Sequence, residues 1–144
     1  MSNLAQHRLL LYYKGDISAL TLFAQQADGG VCFPEKLPAL AETLDEDYIL
    51  ASKIALHPSV LLNSVNGLLR LEPNLLVLEH DFSECVDAPG GVITVHMARF
   101  NVLDPPKQLL ASRGLSLKTL PELRGRPPAE MELLRRAYVK LMES

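Results

Sequence analysis

The sequence predicts an α+β fold, a single domain with a largely antiparallel sheet packed by several helices, and three observations predict it. A long strand-like segment, about residues 74–102, is broken in its middle by Ala88-Pro89-Gly90-Gly91. Proline presets φ at the second turn position and glycine accepts a positive φ at the third, so Gly90 takes that conformation and a long hairpin follows. Arg126-Pro127-Pro128 leads into a segment whose Met131, Leu134, Tyr138 and Leu141 recur at helical spacing, which predicts a closing helix with an apolar stripe. Between the chain's start and this end, strands and helices do not alternate as a doubly wound parallel sheet requires.

The remaining elements follow in order. Arg8 to Lys14 is short, apolar and aromatic, and Gly15-Asp16 ends it, so it reads as a buried strand. Asp16 suits a helix N-cap. Ile17, Leu20, Ala24 and Ala27 share one helical face and Gly29-Gly30 supplies a stop, which predicts a helix over 16–28. Val31-Cys32-Phe33 reads as a short strand. Leu37, Leu40, Ala41 and Leu44 then predict a second helix with Pro38 in its first turn, and Asp45-Glu46-Asp47 predicts the start of a third that His57-Pro58 ends. Residues 59–71 fit a helix through Leu61, Leu62, Val65, Leu68 and Leu69, while Asn66-Gly67 signals a hairpin; the helix is the preferred reading. After the long hairpin, Gln108 to Arg113 reads as a helical turn closed by Gly114, and Leu115 to Leu123 as an edge strand or an extended segment.

The 144 residues are 48% hydrophobic and 22% charged, enough for one core and unlike a disordered or coiled-coil chain. A membrane span needs roughly 18 apolar residues in a row. The longest run is Leu9 to Tyr13, and Met-Ser-Asn-Leu-Ala-Gln-His is not a secretory leader, so a cytoplasmic protein with no membrane association is expected. Net charge is −3, but residues 1–98 carry 5 Lys+Arg against 12 Asp+Glu and residues 99–144 carry 9 against 5. Such halves can attract within the fold, pair head to tail between copies as a homo-oligomer, or meet a charged protein partner.

Phosphate-binding glycine loops, the nucleophile elbow and His-Glu-x-x-His are all absent, and Cys32 and Cys85 form no Cys-x-x-Cys, so no cofactor or metal site is signalled. What remains is a constellation on the hairpin. If Ala88 faces Gly91, then Ser83 faces His96 and His80 faces Arg99. One face carries Leu76, Leu78, His80, Phe82, Ile93, Val95, Met97 and Arg99 and should meet the core; the other carries Asp81, Ser83, Cys85, Asp87, Thr94, His96 and Phe100. On that polar face His96 can act as acid or base, with Asp81 orienting it, Ser83 beside it, and Asp87 or Glu84 assisting a substrate or metal. The bland alternative is a solvated hairpin face. In this register His80 and His96 project to opposite faces, an objection that a bulge would remove. His80, Glu84 and Arg99 form a second candidate binding group, with a structural ion network as its alternative. His7 and His57 read as terminal and helix-end residues.

Arg113, Lys118, Arg124, Arg126, Arg135, Arg136 and Lys140 offer a basic surface for nucleic acid, but no aromatic residues interleave them, and Glu132 and Arg136 stand at a favourable helical pairing distance. Arg-Gly-Arg-Pro-Pro reads as a helix entry rather than a docking motif. The first functional reading is therefore a binding or protein-interaction domain that self-associates. An enzyme using His96 and the hairpin carboxylates is the alternative, and nucleic-acid contact through the basic end the third.

Overall fold

The computed structural model describes residues 6–16, 20–45 and 57–143. Its chain order is β1 (His7–Lys14), β2 (Thr21–Gln25), β3 (Cys32–Phe33), β4 (Glu42–Thr43), α1 (Pro58–Leu68), β5 (Leu76–Ala88), β6 (Gly91–Phe100), α2 (Lys107–Ala111), β7 (Ser116–Lys118) and α3 (Pro128–Met142), with a 3₁₀ turn at Pro121–Leu123. The fold is α+β. One sheet runs β4-β5-β6-β1-β2-β7, and β3 pairs with β1. The expectation of a largely antiparallel sheet is met in part: the sheet is mixed, because β1 runs parallel to β6 at its centre, with His7 opposite Thr94 and Leu9 opposite His96.

Two hydrophobic layers cover the sheet. On one face Leu10, Tyr12, Phe23, Val95 and Met97 pack against Leu133, Leu134, Ala137 and Leu141 of α3. On the other, Leu9, Leu11, Tyr13, Ala98 and Phe100 pack against Leu61 and Val65 of α1 and Leu110 of α2. β1 alternates between the layers, as a central strand must, which is why its run is apolar without interruption. Both helix layers are clamped by polar links. Arg136 Nη1 donates to Glu84 Oε1 at 2.7 Å and to Leu44 O at 2.9 Å, and Arg113 donates to Leu69 O and Arg70 O at 2.7 and 3.0 Å.

Several expectations are corrected. No helix spans the described part of residues 16–28; Thr21 to Ala24 are all buried in β2, with Phe23 in the α3 layer and Leu22 and Ala24 in the other. A strand covered on both faces has no polar side, so helical spacing among its apolar residues is coincidental. The second helix is also absent: residues 37–44 run through an extended segment into β4, and Leu40 is 77% exposed. The third lies mostly outside the described residues, but His57 opens α1 instead of ending a helix. The helix preferred over 59–71 is α1, which ends at Leu68; of the segment 115–123 only Ser116–Lys118 is a strand, β7, and the closing helix is α3. Its stripe is rotated, with Glu130, Leu133, Leu134, Ala137 and Leu141 buried and Tyr138 only half-buried. In the hairpin turn the positive φ, +127°, falls on Gly91 and not on Gly90.

Candidate functional site: a histidine-lined cavity at a β5 bulge

The hairpin keeps its expected register near the turn, from Ala88 opposite Gly91 to Glu84 opposite Val95. It then slips. Glu79 stands opposite Met97 and Leu76 opposite Phe100, so the four residues His80 to Ser83 face the single residue His96. A bulge of this size leaves β5 unpaired locally and re-aims its side chains. Three extra residues, an odd number, also exchange the faces of everything beyond them. Leu76 therefore joins Phe100 in the α1 layer, whereas Phe82 stays with Val95 and Met97 in the α3 layer. The face read as solvated is in fact covered near its middle: Phe100 is fully buried and His96 is 8% exposed.

His96 lines a cavity of about 210 Å³ together with His57, Pro58, Leu78, Glu79, His80, Phe82 and Ser83. On its far side the His96 ring stacks on His7, with centroids 5.8 Å apart and planes inclined by 10°. All four histidines of the chain thus gather from positions 7, 57, 80 and 96. The objection that His80 and His96 occupy opposite faces is removed by the bulge.

His96 Nε2 is buried and makes no hydrogen bond to any described residue. A buried polar nitrogen without a partner costs about 1–3 kcal/mol, so its setting is a feature to be explained. Burial, then the like charges of His7 and His57, push its pKa down to about 4, which keeps the ring neutral at pH 7. Burial and the adjacent Arg8 guanidinium lower His7 as well. His57 has a different constraint. Its Nδ1 accepts the Ser59 backbone N–H at 3.1 Å, capping α1, and a nitrogen that accepts carries no hydrogen. Neutral His57 therefore holds its proton on Nε2.

The remaining candidates lie elsewhere. Asp81 and Glu84 border a shallow depression beside α3 with Arg136, so Asp81 does not orient His96. Glu84 is ion-paired to Arg136, Asp87 stands at the β4 pairing opposite Glu42, and Arg99 bonds Asp16 Oδ1 at 3.0 Å and Lys14 O at 3.2 Å. His80, Glu84 and Arg99 do not form one group. His7 and His57, read as bland, are the two members that sequence reasoning missed; the only signal for them was that histidine is scarce. Among the described residues, no three His, Cys, Asp or Glu side chains stand together as a metal site. Cys32 and Cys85 are buried thiols, the first pushed by burial to about 12.

A larger cavity, about 820 Å³, lies between residues 36–42 and the start of α3. Its deepest charge, Glu130, is 2% exposed and already holds Arg126 through two bonds of 2.9 and 3.0 Å, so it presents no comparable unmet group. Part of the basic C-terminal set is likewise engaged: Arg135 and Arg136 share Glu132, and Arg113 binds backbone carbonyls. No helix among the described residues is long and apolar enough to cross a membrane. No protein-family model and no curated protein sequence matches the chain.

Proposed function

We propose that this protein is a binding domain that takes a small, uncharged hydrogen-bonding molecule in the bulge cavity. The observation that carries the reading is the buried and unpartnered Nε2 of His96, a residue that lines the cavity. A ligand polar group that reaches it as the wall gives way completes the hydrogen bond that the protein leaves unmade, and the neighbouring His57 offers its Nε2–H as a donor. Pro58 and Leu78 supply apolar wall area. A neutral ligand suits the neutral His96 ring, since burying a charge beside it is costly without a counter-charge, and the lining carboxylate Glu79 is engaged by the Tyr12 hydroxyl.

The enzyme alternative has weaker support. An imidazole held near pKa 4 is a poor general base at neutral pH, and no carboxylate is bonded to His96 to orient it. Self-association would use the outer edge of β5, which among the described residues β4 and Leu44 cover from Cys85 to Asp87. The bulge and the acids Glu79, Asp81 and Glu84 along that edge are the features by which sheets resist pairing between copies.

A thermal-shift screen of amides, alcohols and neutral nitrogen heterocycles tests the proposal. Ligands that bind only the folded state raise the melting temperature, and the shift must vanish in His96→Phe, which keeps a ring but removes the nitrogen. Shifts that persist in His96→Phe place the ligand elsewhere, and no shift across these classes rejects the reading.

A further inference from the structure

We infer that the bulge cavity is acid-gated, with the stacked rings of His7 and His96 as the latch; this concerns regulation of the proposed ligand site and rests on that reading. The geometry carries the argument. His7 is the first residue of β1, and its stack on His96 joins that end of the strand to the middle of β6 beside the parallel pairing of Leu9 with His96. Two nearly parallel imidazoles 5.8 Å apart tolerate one positive charge between them far better than two, because their mutual repulsion is only weakly screened at a buried site.

Among the described residues, the groups around the latch give no relief. From β1 come His7 and Arg8, from α1 His57, and from β5 Glu79, His80 and Ser83; on β6 itself the neighbour on this face is Thr94. The carboxylate among them, Glu79, accepts the Tyr12 hydroxyl at 2.9 Å, and Tyr12 belongs to the α3 layer on the opposite face. The charges acting on His96 are those of His7 and His57, both of its own sign. Once acid protonates His96, the ring moves towards solvent, the stack parts and the His7 end of β1 loosens. The same proton makes donors of both ring nitrogens and alters the wall that holds the ligand.

The experiment uses ligand-free protein, so it stays independent of whether a ligand is found. Ring signals of the four histidines are titrated by NMR, and amide exchange is followed from pH 7 to pH 4.5 after correction for intrinsic rates. Residues 7–11 and 94–98 are expected to lose protection by on the order of tenfold or more as the His96 ring titrates, while α3 keeps its protection. His96→Phe and His7→Phe each keep a ring in the stack and remove one charge; the first must abolish the acid-dependent loss, and the second, which leaves His96 buried, must reduce it. Two variants guard against one failing to fold. Unchanged protection in the wild type overturns the gate, and so does a loss that persists in folded His96→Phe or is undiminished in folded His7→Phe. If a ligand binds and exchange is flat with pH, only the gate fails. A gate that opens in a protein no ligand shifts rejects the binding reading alone.

Discussion

The two faces of the sheet are closed in different ways. On the α3 face the buried charges have partners: Glu130 holds Arg126, and Arg136 ties Glu84 to Glu132. On the α1 face the most buried polar side chain, His96, has an unpartnered nitrogen and sits beside a cavity. The α3 face also holds a buried atom without a hydrogen bond, Arg99 Nε, but that guanidinium is held by Asp16 and the Lys14 carbonyl through Nη2, whereas His96 lines a cavity. The difference teaches where to look for function when no sequence motif marks it.

The comparison can be broken or sharpened by measurement. Leu133→Ala in the fully buried α3 layer is expected to lose about 3–4 kcal/mol, read by urea unfolding at pH 7. The acid response of the opposite face comes next. The folded pKa of His96 lies below its unfolded value, so its contribution is complete above pH 6.5 and is lost as pH falls towards 4. The full shift corresponds to about 3 kcal/mol, and unfolding curves across that window should be flat by comparison in His96→Phe. Glu130→Ala, which leaves the partly buried Arg126 without its carboxylate, should cost about 2 kcal/mol, less than a fully buried broken pair because Arg126 keeps some access to water. The smallest effect is at Glu132. Bonds from Arg135 and Arg136 hold its carboxyl down at about 2, so its contribution is present above pH 4.5 and lost as pH falls towards 2. Glu132→Gln should therefore change stability by about 0.5 kcal/mol at pH 7 and remove that lower acid step. Two separate acid windows, the upper from the α1 face and the lower from the α3 face, would confirm the contrast; a single window would erase it.

Much of the fold was legible where the signal is local. The turn at Pro89-Gly90-Gly91 and the Pro-Pro entry to α3 are matters of backbone chemistry within a few residues, and both elements are present, though the positive φ moves to Gly91 and the buried stripe of α3 is rotated. β2 was illegible because Leu22, Phe23 and Ala24 fill two layers at once, which erases the alternation that marks a strand. The bulge was illegible for another reason. His80-Asp81-Phe82-Ser83 contains neither glycine nor proline, so nothing local distinguishes it from regular strand, yet it decides which face Leu76 joins and brings His80 to the His96 cavity. His96 and Ser83 were placed together correctly, but for pairing reasons that the slip overturns. His7 reaches the site only through the parallel β1–β6 contact, and His57 only through the cap of α1. Neither relation has a sequence spacing that can be read in advance.

The parallel contact of β1 with β6 also sets a timetable for synthesis. Leu9 cannot meet His96 until the ribosome has released that far downstream strand. At roughly 5–20 residues per second, this leaves the β6 edge of β1 open for about 4–17 s. During that interval Leu9-Leu10-Leu11-Tyr12-Tyr13 is an apolar strand with one bare side, the kind of segment that chaperones grip and neighbouring nascent chains can pair with. Overproduction at high temperature should accordingly favour inclusion bodies over soluble protein, even though the finished fold hides every one of those five side chains.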